Sequence, residues 1–153
     1  MSALRALAEG RLQDWEGMPQ GLGSDDVDLG AGSEGVPGIL GGLPAIARTY
    51  PATAFAPYGV IVWFEDGVAS IVEIQEPQPA APPEELLGAP DGIVESLLGS
   101  TRRQHVWARR GLAMHIQSGT GAVYRLYAFA PCTLDEWMGD PLSRVEQRRI
   151  PLE

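Results

Sequence analysis

Lysine is missing altogether from this 153-residue chain, so all 11 of its fixed cations are arginines. Each is a planar guanidinium able to engage a carboxylate through two parallel hydrogen bonds. Cysteine occurs once, at Cys132, which excludes an internal disulfide and any all-cysteine metal site and leaves packing as the thiol's expected role. No stretch approaches the roughly 18 apolar residues of a membrane-spanning helix, and Met1 to Glu9 lack the apolar run of a secretory signal. The expectation is a cytoplasmic protein without membrane contact. Also missing are the Gly-x-Ser-x-Gly elbow, the Gly-x-x-x-x-Gly-Lys phosphate loop and the His-Glu-x-x-His zinc helix. No catalytic residue, cofactor or metal is therefore assigned, and a non-enzyme is expected.

What the chain does contain suits a globular protein, with 44% apolar residues. Residues 1–153 read as one domain, because either half alone would bury too little surface to be stable. Gly (19) and Pro (13) make up about a fifth of the chain, above the usual ~12%, so much of it is turn and loop. The net charge of −9 disfavours nucleic acid as a partner, since a phosphate backbone demands positive potential. Residues 1–99 hold 15 acidic groups against 3 arginines, a net of −12; residues 100–153 hold 8 arginines against 5 acidic groups, a net of +3. These two parts either neutralise one another within the fold or offer distinct surfaces to a partner.

The pattern predicts a helix over Ser2–Trp15, with Leu4, Leu7, Ala8, Leu12 and Trp15 on one stripe and Gly10 weakening it. Residues 1–35 are this helix and an acidic Gly-rich loop that runs on to Gly42, with one helical turn near Asp25 to Leu29. Asp25, Asp26 and Asp28 lack the alternation of a calcium loop and read as solvated. Residues 36–75 form a first unit: strands Tyr58–Phe64 and Val68–Ile74 around Asp66-Gly67, a type I′ hairpin turn. That turn pairs Glu65 with Val68, Trp63 with Ser70 and Ile61 with Val72, and puts apolar side chains on both faces. Residues 76–86 are a Pro-rich linker, in which Pro82 or Pro83 opens a short helix ending at Leu87. Residues 87–153 are the second unit and tail: a helix over Asp91–Leu98, strands His105–Arg109, Leu112–Gln117 and Ala122–Phe129, and a helix over Thr133–Met138 with a Thr133/Glu136 capping box. Arg144–Ile150 is a charged tail.

Two segments share an order of features. Leu40, Gly42 and Pro44 precede Gly59-Val60-Ile61-Val62, and Leu87, Gly88 and Pro90 precede Gly111-Leu112-Ala113-Met114; each leads into a hairpin. Over about residues 38 to 138 this order resembles the tandem-repeat arrangement of the β-lactamase inhibitor protein and related small bacterial inhibitory and envelope-assembly proteins. The resemblance implies an α+β fold: a mostly antiparallel sheet from two similar helix/hairpin units, with short helices on one face. That family's inhibitory loop residues have no counterpart here and its disulfides are absent, so lactamase inhibition is not implied.

Two candidate sites follow. Trp63, Glu65, Glu73, Trp107, Tyr124 and Tyr127 are interface candidates, because aromatic residues are the usual anchors of protein contacts and the acidic surplus suits a basic protein partner. They serve only where they are exposed, since aromatics are also ordinary core material. A homodimer through the sheet is a further arrangement. Arg103, His105 and Arg109 are anion-binding candidates: with Trp107 they make a row that fits a phosphate, a carboxylate or an acidic surface, in a small-molecule binding protein or enzyme. A two-residue turn at Arg110-Gly111 pairs His105 with Ile116 and Val106 with His115, on opposite faces and without a third zinc ligand nearby.

Overall fold

A computed structural model describes residues 3–40, 42–96 and 99–139. Its frame is an eight-stranded antiparallel sheet in the order β1-β2-β3-β4-β8-β7-β6-β5. The strands are β1 (Val36–Leu40), β2 (Leu43–Tyr50), β3 (Val60–Glu65), β4 (Val68–Gln75), β5 (Gly92–Glu95), β6 (Arg102–Trp107), β7 (Leu112–Gln117) and β8 (Val123–Ala128). Three short helices accompany them: α1 (Ala3–Ala8), α2 (Pro83–Leu87) and α3 (Leu134–Gly139). Two four-stranded meanders are thus joined through their last strands, β4 and β8. Gly59 and Gly111 each precede the third strand of a meander, whereas Leu40-Gly42-Pro44 spans the β1–β2 turn and Leu87-Gly88-Pro90 lies between α2 and β5.

Both faces of the sheet carry a buried core over its central strands. Val60, Val62 and Phe64 of β3 face a core that includes Leu4, Leu7, Leu12, Trp15, Leu112, Met114 and Leu126, with Leu86 and Leu87 of α2 packed against it. Trp63, Ile71, Val106, Tyr127 and Phe129 face the opposite way and meet Trp137 of α3. The helices therefore divide between the faces, not all on one as expected. α3 is held by a stack of Phe129 on Trp137 with ring centres 3.9 Å apart. Its capping box forms as read, with Glu136 Oε1 accepting from Thr133 N and Thr133 Oγ1 accepting from Glu136 N.

Several expectations change in the fold. The helix over Ser2–Trp15 stops at Ala8 because the chain turns at Gly10, where φ is +81° and a side chain would meet the Phe55 ring. A 3-10 turn, Leu12–Asp14, then carries the same apolar stripe into the core. β1 and β2 occupy what reads as loop and turn; Pro37 and Gly38 suppress the strand signal, and an edge strand tolerates both. The helical turn near Asp25 is a 3-10 turn, Ser24–Asp26. The predicted helix Asp91–Leu98 is instead β5 over Gly92–Glu95, its residues paired with β6. β-branched Ile93 and Val94 favour that outcome. The predicted tail helix or strand, Arg144–Ile150, lies outside the described residues.

The β3–β4 hairpin turns where expected, with Asp66 at φ +50° and Gly67 at φ +80°, and Glu65 pairs with Val68. Between Trp63 and Phe64 the register then slips by one residue, so that Trp63 faces Ile71, Val62 faces Val72 and Ile61 faces Glu73. This bulge puts Trp63, Ile71 and Glu73 on one face, where the unbroken hairpin would have set Trp63 beside Ser70. His105 pairs with Met114 and Gln104 with His115. The offset from the expected pairs is two residues, which leaves the histidines on opposite faces.

Candidate functional site

The six interface candidates are mostly interior. Trp63, Trp107 and Tyr127 are buried, and Glu73 is only 1% exposed. Glu65 is half-buried at the hairpin end, and Tyr124 is half-buried with the Arg102 guanidinium 3.9 Å above its ring and that of Arg125 at 5.2 Å. The aromatics are core material, so a contact surface built on Trp63, Trp107 and Tyr127 is not what the sheet presents. The cause is the double-sided core: each face of the sheet is packed over its central strands, and the large rings fill it.

The anion-binding row also comes apart. Arg103 is exposed, with its Nη1 donating to the carbonyls of Ser100 and Arg102. His105 stacks on Trp107, but the Glu84 carboxylate stands 3.6 Å from its Nδ1, an arrangement that repels an anion. Burial depresses the His105 pKa, and Glu84 works in the other direction. Arg109 leaves the strand for a 3-10 turn, Ala108–Arg110, where its backbone N–H donates to Asp91. The one strand row needed for a phosphate grip is therefore broken by that turn.

The bulge in β3–β4 instead assembles a buried polar cluster on the α3 face. Glu73 Oε1 accepts from Trp63 Nε1 at 3.2 Å, and Glu73 Oε2 accepts from Arg125 Nη1 at 3.0 Å. Across β7, His115 Nδ1 lies 2.6 Å from Ser96 Oγ, and Tyr127 meets the imidazole edge-on. Gln104 Oε1 accepts from Trp137 Nε1 at 2.7 Å, which ties α3 to β6. Sequence reading singles out Trp63 and Glu73 but not their contact or the pairing of Glu73 with Arg125, and it misses Ser96 and Gln104 entirely. No spacing rule links residues 63, 73 and 125; only the strand order does.

A Ser96–His115 pair invites comparison with a nucleophile and its base. For His115 Nδ1 to accept the serine proton, Nε2 would have to carry hydrogen, and Nε2 is buried without a partner. A buried unpaired N–H costs about 1–3 kcal/mol. Either tautomer leaves Nε2 without a partner, as donor or as acceptor, so what weakens this imidazole as a base is its burial. Burial, with the Arg125 and Arg102 charges adding to it, lowers the His115 pKa to about 4. An unfolded histidine titrates near 6.5. Because the folded value is the lower one, the full stability is present above about pH 6.5 and is lost as pH falls towards about 4, by on the order of 2–3 kcal/mol. Urea midpoints followed over that range should fall more steeply for the native chain than for His115→Gln. Parallel curves would remove His115 as the cause.

An unfilled feature lies elsewhere, at the β1–β2 end of the sheet. An open groove of about 560 Å³ has Pro37, Ile39, Pro44, Ile46 and Phe64 along its floor. Asp66 and Ser24 stand on its rim, with Asp25 and Asp26 exposed beside Ser24. Ile46 is 38% exposed there. The groove face of β1 and β2 is left open, so its apolar side chains stay in contact with water. Its signal in the sequence was the alternation of Pro44, Ile46, Arg48 and Tyr50, masked by the prolines and glycines around it.

Among the described residues, no group of three or more His, Cys, Asp and Glu comes together in a way that could hold a metal ion, and no helix is long and apolar enough to cross a membrane. No protein-family model, curated protein or solved structure matches the chain.

Proposed function

We propose that this protein is a non-enzymatic binding module, of the immunity, inhibitor or adaptor kind, that holds a partner protein in the groove over β1 and β2. One observation carries the reading: an open apolar floor with an acidic rim. Removing Pro37, Ile39, Pro44 and Ile46 from water supplies a driving force of about 25 cal/mol per Å². Asp25, Asp26 and Asp66 favour a basic partner and speed its approach. Residues 1–75, which build this end of the sheet, hold ten acidic groups against three arginines, a net of −7. The two meanders joined at β4 and β8 also suit the reading of the chain as two similar units, and a cytoplasmic setting belongs to the same proposal.

The alternative, a small anionic ligand on Arg103, His105 and Arg109, is disfavoured by Glu84 beside His105 and by the turn that removes Arg109 from the row. The groove reading is tested by affinity capture from native lysate. Wild-type protein should retain a stoichiometric partner that is released as salt rises, and Ile46→Asp, with its folding verified by urea unfolding, should lose it. Equal capture by Ile46→Asp, or no stoichiometric partner, sinks the proposal.

A further inference from the structure

The groove does not end at Ile46. Pro44, Ile46, Arg48 and Tyr50 occupy alternate positions along β2 and therefore share one face. Pro44 and Ile46 line the apolar groove. Ser24 and Arg48 line both that groove and a second cleft of about 340 Å³, which Asp25, Tyr50, Gly30 and Gly32 complete. The two clefts share Ser24 and Arg48 and follow one another along β2 as a trough in two parts, apolar at the Pro44 end and polar at the Tyr50 end. Arg48 at the junction is tethered, its Nη1 donating to the Ser33 carbonyl at 2.9 Å. Asp25 makes no ion pair among the described residues and stays exposed in the polar end.

Resting on the groove reading above, we infer that the trough binds an extended segment of the partner, with an apolar side chain over Ile46 and an arginine or lysine beside Asp25. The four residues from Ile46 to Tyr50 span about 13 Å of strand, so an extended segment along β2 would place its two anchors about three or four residues apart. The apolar anchor drives association by burial. The basic anchor selects, because the exposed Asp25 carboxylate accepts from a cation, whereas Arg48, the cation lining this end, already donates to the Ser33 carbonyl.

The test uses the full chain and a random dodecapeptide library displayed on phage. Selected sequences should pair an apolar residue with an arginine or lysine at that spacing. A synthetic peptide of the selected sequence should bind Asp25→Asn about fivefold more weakly than wild type. A peptide with norleucine in place of its basic residue should not distinguish the two. Selected sequences without the basic residue, or an unchanged affinity for Asp25→Asn while Ile46→Asp abolishes binding, overturn the inference and leave the groove reading standing. Binding unaffected by Ile46→Asp, or no selected peptide at all, overturns both.

Discussion

Arg125→Met is expected to lower the unfolding free energy by about 3 kcal/mol, because it strands the Glu73 carboxylate in the interior. Glu73 is 1% exposed and has both oxygens engaged, by Trp63 Nε1 and by Arg125 Nη1. Removing the cation leaves one oxygen desolvated without its counter-charge. The Arg125 side chain keeps 13% exposure, so water softens the loss and the low end of the usual range for a broken buried pair applies. Glu73→Gln with Arg125→Met should recover most of the loss. The amide oxygen still accepts from Trp63, no charge remains buried, and the methionine covers much of the surface that the arginine stem covered. Urea unfolding of the two single variants and the double variant gives the coupling directly. A double variant as unstable as the sum of the singles would show that the pair is not the source.

Gly111→Ala should be more damaging, by about 4 kcal/mol, and is the change most apt to prevent folding. Gly111 sits at φ +68°, and a Cβ there would overlap the Phe129 carbonyl oxygen and crowd Gly17. The same residue links three elements: its N–H donates to Ala108, and its carbonyl accepts from Phe129 N and from Trp15 Nε1 at 3.2 Å. Backbone cannot move aside here without breaking the bonds that register β7 on β8. Gly119→Ala is the matched control, since φ is +90° but nothing lies within 4 Å of the added carbon. It should cost only the left-handed backbone penalty of about 1–2 kcal/mol. Equal losses for the two variants, measured by thermal or urea unfolding, would show that steric overlap with Phe129 is not what matters.

The charge division seen along the chain takes a different form in space. Cutting at residue 99 gives a net of −12 against +3, but the acidic groups of residues 76–95 fold onto the arginine-rich second meander. Glu84 faces His105, Asp91 accepts from the Arg109 backbone, and Glu73 from the first meander pairs with Arg125. Of these three contacts Glu73–Arg125 alone joins opposite fixed charges, so neutralisation within the fold accounts for a small part of the asymmetry. Among the described residues, Asp25, Asp26 and Asp66 beside the groove are carboxylates that make no ion pair.

Local chemistry by itself determined the Asp66-Gly67 turn, the Thr133/Glu136 cap, the Pro-rich connection after β4 and the antiparallel α+β character of the fold. Each of these depends on residues within a few positions of one another, where turn dihedrals, capping hydrogen bonds and strand alternation are set by immediate neighbours. The tertiary structure alone decided that β1 and β2 extend the sheet despite Pro37 and Gly38, and that Asp91 begins a strand partner for β6 and not a helix. It also decided that a one-residue bulge turns Glu73 inward against Trp63 and Arg125. These outcomes depend on which strands become neighbours and on which face is left without a cover. A pairing energy shared between residues 46 and 64, or 73 and 125, leaves no trace in the spacing of either segment. The candidate groove belongs to that second group: its floor comes from β1, β2 and β3 together, and that face of β1 and β2 is left open.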